Sequence, residues 1–251
     1  MTRLIRKDAM LRHAGQALVE YLYVFPILVM LILGAIQFGF IYQTKITLDY
    51  AVFSATREGA LNSGNINAIN DGLIAGLMPL FAHSSSTGGK RNMDMLKNAW
   101  KLARDQVEEP KFMKISIVNP TKEAFSAYQS QSDLGNEIPN DNLMYRSTSI
   151  SGGGMNIQDA NLLKVKVTYC YKMSVPILNR LIYHLIVDPP GAPAASTTIA
   201  SDMLASNGGA SSTPPCTAKL GTDEEFRIPI TAEAVVRMQS PFKAPAKWMW
   251  P

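Results

Sequence analysis

The longest feature of the hydropathy pattern is an apolar run near the N-terminus. No charged residue occurs from Tyr21 to Thr44, a stretch of 24 residues. Because a helix rises about 1.5 Å per residue, roughly 20 apolar residues cross the hydrocarbon core of a bilayer. The run is therefore long enough to span a membrane with some tilt. The alternative is a buried core helix, which seldom runs this far without a charge.

Helical periodicity continues beyond the apolar run. Apolar side chains recur at helical spacing between Gln43 and Ala60, which predicts one long helix from about Ala17 to Arg57. The polar cluster at 62–65, rich in Asn and Gly, is a stop signal for that helix. The same spacing predicts two shorter helices, over residues 66–80 and 92–109.

Three later segments alternate apolar and polar residues with a period of two. They are residues 113–117, 164–171 and 226–238. This alternation predicts strands with one buried face, and a small antiparallel sheet packed on helices gives an α+β domain. Pro229 donates no ladder hydrogen bond, so the third strand is predicted at a sheet edge or irregular at that point.

The remaining segments read as an interfacial helix and two loops. Residues 175–187 are strongly apolar but too short to span, and they contain Arg180 and His184. This predicts a helix either packed on the core or lying at the membrane surface. Two stretches rich in Gly, Ser, Pro and Asn, about 130–160 and 188–224, are predicted to be long exposed loops.

The positive charge of the chain is concentrated before the apolar run. Residues 1–15 hold four Lys or Arg and one Asp, so removing them lowers the formal net charge from +4 to +1. The basic pI is therefore a property of this leader and does not indicate nucleic-acid binding. Positive residues beside a membrane segment keep that side in the cytoplasm, which places everything after Lys45 on the outer side.

The outer part contains both cysteines, Cys170 and Cys216. An even number of cysteines on the oxidising side of a membrane favours a single disulfide between them. Two unpaired thiols are the alternative.

The N-terminal segment is not organised as a general secretory signal. Such a signal has a short apolar core followed by a cleavage site. Here the apolar run is longer, and the small residues Ala14 and Gly15 precede it. Cleavage after Gly15 would leave the membrane helix on the mature protein, an arrangement that resembles type IV prepilins.

Several short elements within residues 14–60 strengthen this resemblance. They are Gly15-Gln16-Ala17, Val19-Glu20-Tyr21, Pro26, Gly34, Gln37-Phe38-Gly39 and Arg57-Glu58-Gly59-Ala60. Together they resemble the TadE-like family of tight-adherence (Flp) pilus systems. The chain departs from the family pattern at Gln37, often a carboxylate, and at Phe40, often basic. The resemblance is weaker in the rest of the chain.

The resemblance implies roles for the residues around the leader. A prepilin peptidase is expected to cut between Gly15 and Gln16, and Glu20-Tyr21 is similar to the Glu-Tyr pair of Flp pilins. A carboxylate at the bilayer centre costs about 2.5–3.5 kcal/mol, and less near the interface. In the family model the freed α-amine of a neighbouring subunit pairs with this Glu, which removes an uncompensated charge. The alternative is that Glu20 only reaches out to water.

Two further features of the helix bear on assembly. Pro26 lacks a backbone donor and is predicted to loosen the helix locally. A proline tolerated in a membrane helix is the alternative. Ala35 and Gly39 form a small-x-x-x-small pair, which predicts close contact with another helix.

Motifs for catalysis or cofactor binding are weak. The three histidines have no metal-binding spacing. The segment Thr87–Arg91 lacks the residues of a phosphate-binding loop. The sequence therefore predicts no metal, no cofactor and no enzymatic activity.

The resemblance implies a minor pilin or pseudopilin that helps to assemble or prime a tight-adherence pilus. We expect a leader (1–15), a transmembrane assembly helix (16–60) and a periplasmic α+β domain (61–251), anchored in the bacterial inner membrane with the N-terminus cytoplasmic. Expected partners are the prepilin peptidase, other pilins or pseudopilins, the inner-membrane assembly platform and membrane lipid, with no nucleic acid. The alternative is a membrane-anchored binding or adhesin module outside any filament; an anchored enzyme is disfavoured by the missing motifs.

Overall fold

A single long helix organises the structure. The computed structural model describes residues 2–82, 91–132, 135–150, 153–186, 216 and 226–244, with side chains from Val19 onward except those of residues 91, 92, 132, 184 and 186. The first helix, α1 (Thr2–Leu61), has 60 residues. It extends past the predicted limits, Ala17 and Arg57, at both ends. The extension at the start is rich in Leu, Arg and Lys, which favour helix.

Two shorter helices follow, as predicted. They are α2 (Ile66–Phe81) and α3 (Arg91–Glu108). Asn65 caps α2 by accepting a hydrogen bond from the backbone N–H of Asn67 at 2.9 Å.

The turn between α1 and α2 depends on a glycine. Ser63 and Gly64 both have left-handed backbone conformations, with φ of 58° and 74°. A methyl group on Gly64 would lie 2.4 Å from Cε2 of Phe242. Glycine therefore satisfies both the backbone conformation and the space at this turn.

Helix α2 returns along α1 with its small residues at the contact. Gly72 lies beside Ala55, and Gly76 lies beside Ala51. A methyl group on Gly76 would come within 2.5 Å of the Ala51 Cα. The two helices are thus as close as glycine permits along this line.

The main sheet contains the three predicted strands. They are β1 (Met113–Asn119), β4 (Leu162–Lys172) and β5 (Arg227–Arg237), all antiparallel in the order β1-β4-β5. β5 lies at an edge, and Pro229 stands opposite Cys170 on β4. The edge position predicted from Pro229 is confirmed.

The stretch predicted to be a loop over 130–160 contains several short elements. A second antiparallel sheet is formed by β2 (Ser130–Ser132), β3 (Gly135–Ile138) and β6 (Phe242–Lys243). It is accompanied by α4 (Lys122–Tyr128), a 3-10 turn (Leu143–Tyr145) and α5 (Ile157–Ala160). The loop prediction did not include β3, which is held by β6, a strand more than 100 residues away. The other predicted loop, 188–224, lies outside the described residues except for Cys216.

The outer half of α1 is part of the domain core. It packs with α2 against one face of the main sheet, and the fully buried side chains include Leu48, Val52, Leu73, Leu77, Leu163, Val165 and Val167. The predicted α+β architecture, with a long N-terminal apolar helix followed by helices and small antiparallel sheets, is confirmed.

Strand β5 and helix α1 run in the same direction. The Nζ of Lys45 donates to the carbonyl of Thr231 at 2.6 Å, and the N–H of Gln239 donates to the carbonyl of Ala60 at 3.1 Å. These two contacts fix the height of the sheet along the helix axis.

Candidate functional site: the N-terminal helix and its junction with the domain

The inner half of α1 has the length and composition of a membrane span. Within the described part of this helix, Val19–Leu61, the most apolar window of 18 residues is almost entirely uncovered by the rest of the protein. Its exposed side chains are large and apolar, among them Leu22, Val24, Ile27, Leu28, Leu31 and Ile32. An uncovered apolar surface of this length is what a lipid-facing helix presents.

The predicted processing site lies within this helix. Gly15 and Gln16 are part of α1, and their side chains lie outside the described residues. Glu20 follows Gln16 by four residues, about 6 Å along the axis. Its side chain is exposed on the helix surface.

Tyr21 and Pro26 lie on the exposed section above Glu20. The Tyr21 ring stacks on Phe25 one turn later, with 5.2 Å between centroids. The helix continues through Pro26 to Leu61. Because Pro26 has no N–H, the carbonyl of Leu22 loses its helical donor at this point.

Ala35 and Gly39 face away from the domain. Ala35 is exposed, and a methyl group on Gly39 would meet nothing within 4 Å. The described part of the chain leaves this small pair uncovered. Its role in helix packing therefore stays a prediction.

Gln37 joins the membrane helix to the domain, a role that the sequence did not reveal. Its side chain is fully buried although it belongs to the apolar run, and its Oε1 accepts the N–H of Val175 at 3.0 Å. Its Nε2 has no partner among the described residues. The available signal was a polar residue inside an otherwise apolar stretch, since such residues in membrane segments generally face protein.

Lys45 makes the second link between α1 and the domain. It is the first charged residue after the apolar run. Its Nζ donates to Oδ1 of Asp49 one turn later and to the carbonyl of Thr231 on β5, both at 2.6 Å. Gln37 and Lys45 thus tie the domain to the part of α1 nearest the apolar run.

The two cysteines are brought together at the start of β5. Cys170 and Cys216 form a disulfide with a Cα–Cα distance of 5.5 Å. Arg227 packs beside it, donates to the carbonyl of Cys170 at 2.9 Å and lies over the ring of Phe112. Cys170 is thus held by a disulfide and by a hydrogen bond to its carbonyl, which indicates a structural role.

A charged cluster lies on the outer face of the main sheet. Glu233 accepts from Lys164 at 2.8 Å and lies 3.3 Å from Lys166. Burial by itself raises the pKa of the Glu233 carboxyl, but hydrogen bonds and charge from the two lysines outweigh it and hold the pKa below its ordinary value. Ion pairing accounts for this shift, so it gives no sign of acid–base catalysis. Within the described ranges, no group of three or more His, Cys, Asp or Glu could hold a metal ion.

Residues 15–57 match the model of a family described as TadE-like protein. This confirms the resemblance predicted from the sequence, and it relates this segment to proteins associated with the Tad pilus, a family that is generally non-enzymatic. No curated protein and no solved structure matches the chain at a significant level.

Proposed function

We propose that this protein is a minor pilin or pseudopilin that helps to assemble or prime a tight-adherence pilus. The observation that carries the proposal is the coincidence of two ranges. The family match covers 15–57, and the same residues form a helix whose inner half is bare and apolar while its outer half is built into a folded domain. A helix of this kind can be stored in a membrane and carry the domain as cargo.

The first step in this proposal is proteolysis on the cytoplasmic side. A prepilin peptidase cuts between Gly15 and Gln16 and removes the basic leader. The apolar helix remains with the mature chain because the cut precedes it. The domain stays on the periplasmic side of the inner membrane, as the basic residues before the apolar run favour.

The second step is docking through Glu20. After cleavage the α-amine of Gln16 is a new positive charge about 6 Å along the axis from Glu20. The amine of one subunit pairs with Glu20 of a neighbour, so that neither charge is left unpaired at the lipid boundary. An ion pair of this kind favours one register because removing one partner leaves a buried charge alone.

The test measures entry into filaments for a charge-removing variant. In cells that lack the native chain, Glu20→Gln is compared with wild type and with Glu123→Gln, which makes the same change at an exposed site of α4 in the domain. Filaments are released by shear and the chain is quantified in the filament and membrane fractions. We expect normal membrane levels for all three and a clear loss of filament-associated chain for Glu20→Gln alone.

Two outcomes would contradict the proposal. Equal filament incorporation of Glu20→Gln and wild type would remove the docking role of this residue. The proposal would also fail if the wild-type chain is not found in filaments and if cells that lack the chain still make normal pili. That result would favour the membrane-anchored binding module.

A further inference from the structure

Helix α6 (Leu178–Ile186) carries more apolar surface than the domain covers. Leu178 is buried, and Ile182 and Tyr183 pack against the core. On the adjoining side, Ile177, Leu181 and Leu185 are 68%, 55% and 72% exposed. Leu181 and Leu185 lie one turn apart on α6, and Ile177 immediately precedes the helix. We call these three exposed apolar residues the α6 stripe.

The membrane-proximal end of β5 lies level with Gln37. Lys45 contacts Thr231, and β5 runs parallel to α1. Arg227 precedes Thr231 by four residues, about 13 Å along a strand. Gln37 precedes Lys45 by eight residues, about 12 Å along a helix. Arg227 and Gln37 are therefore at nearly the same height.

Both ends of α6 are held at this same height. Just before the helix, the N–H of Val175 donates to Gln37 at 3.0 Å. Near its end, the ring of Tyr183 packs on Phe226, the residue before β5, with 5.3 Å between centroids. α6 therefore lies across the base of the domain, roughly perpendicular to α1.

The length of the apolar run places the base of the domain near the outer boundary of the hydrocarbon core. From Tyr21 to Ile36 there are 16 residues, about 24 Å, which is shorter than a hydrocarbon core of about 30 Å. Crossing that core takes about 20 residues and ends near Phe40, so Gln37 lies about 5 Å inside the outer boundary. Helices that lie in the interface insert their apolar side by about 5–10 Å.

We propose that the α6 stripe is a second membrane contact, inserted among the lipids of the outer leaflet beside α1. The inference rests on α1 spanning the membrane, which belongs to the proposed function, and is independent of cleavage and of the pilus. Lipid is the occupant because the stripe lies level with the exposed apolar surface of α1. Arg180 is exposed on the same helix and can reach phosphate groups.

The backbone conformation of Ile177, just before α6, is consistent with an exposed side chain at this position. Ile177 has a left-handed conformation, with φ of 70°, inside a turn closed by the N–H of Leu178 and the carbonyl of Pro176. A β-branched residue rarely adopts this conformation. Here it leaves the apolar Ile177 side chain on the surface as the first member of the stripe.

Lipid contact can be measured by quenching of tryptophan with brominated acyl chains. The full-length chain is reconstituted into phosphatidylethanolamine–phosphatidylglycerol vesicles, with and without bromine on the acyl chains. Leu181→Trp reports on the stripe. Leu28→Trp reports on the middle of α1, and Tyr145→Trp, 87% exposed, reports on the turn joined to α5 at the far end of the domain. Wild-type emission is subtracted, and near-UV circular dichroism checks that each variant folds.

We expect bromine to reduce the added emission of Leu181→Trp and Leu28→Trp and to leave that of Tyr145→Trp unchanged. Quenching at Leu28→Trp without quenching at Leu181→Trp would overturn the inference while leaving the membrane span intact. Quenching at neither position would overturn both. Protection of Leu181→Trp that grows with protein density would assign the stripe to a second copy of the chain, which also overturns the lipid contact.

Discussion

The close approach of α1 and α2 predicts that adding one methyl group at Gly76 destabilises the domain. In an ordinary exposed helix, replacing Gly by Ala gains about 1 kcal/mol of helix propensity. At Gly76 the new methyl would lie 2.5 Å from the Cα and 2.7 Å from the Cβ of Ala51. Both atoms belong to the rigid part of α1, so the helices must separate instead of a side chain rotating away.

The expected change in free energy of unfolding is the cost of overpacking minus the gain in helix propensity. Overpacking of a tight core contact costs about 1–3 kcal/mol, and two contacts with rigid atoms place Gly76→Ala at the upper end. After the propensity gain, the net loss in free energy of unfolding is about 2 kcal/mol. For a domain of this size, that lowers the melting temperature by roughly 4–8 °C.

The assay is thermal unfolding of the detergent-solubilised full-length chain, followed by near-UV circular dichroism, which reports tertiary packing. Ala75→Gly is the matched control, because Ala75 is the exposed neighbour on the same helix. It should lose about 1 kcal/mol through propensity alone. Wild-type or higher stability for Gly76→Ala would refute the close packing of these helices.

Two further predictions concern the sheet and the disulfide. Glu233 has a lowered pKa in the folded state, so its contribution to stability is present above the unfolded value of about 4.3 and is lost as pH falls through the folded value. Glu233→Gln should therefore reduce the loss of unfolding free energy on the acid side of a stability-against-pH curve. An unchanged slope of that curve would contradict the pairing with Lys164 and Lys166. Reducing the Cys170–Cys216 disulfide, which closes a sequence separation of 46 residues, should lower the free energy of unfolding by about 3–4 kcal/mol in urea titrations. A urea midpoint that does not move on reduction would contradict a structural role for this bond.

The elements with a strong local pattern could be predicted from the sequence. The period-two alternation over 113–117, 164–171 and 226–238 correctly predicted β1, β4 and β5. The alternation exists because each strand buries one face on the same core. The helical pattern over 66–80 produced α2 for the corresponding reason. The apolar run predicted the exposed half of α1 through its length alone.

The small sheet could not be predicted in this way. β2 is Ser-Gln-Ser, and β3 is four residues long. Neither contains an apolar alternation, and β3 is held by β6 through pairs such as Ile138 with Phe242. A contact between residues so far apart in sequence has no local signature.

The helix contacts show a similar limit at the level of single residues. The sequence singled out Ala35 and Gly39 as a small pair, and the described chain leaves them uncovered. The pair that does form a close contact within the domain, Gly72 and Gly76, has the same spacing. Small residues mark where a helix can be approached, but which partner approaches depends on the tertiary fold.

The leader defines the central claim, so the N-terminus of the mature chain tests it most directly. Intact mass and N-terminal sequencing of the membrane-extracted protein are compared between cells with and without an active prepilin peptidase. We predict a chain that begins at Gln16 when the peptidase is active and an uncut leader when it is inactive. A chain that retains residues 1–15 in cells with the active enzyme would contradict the account.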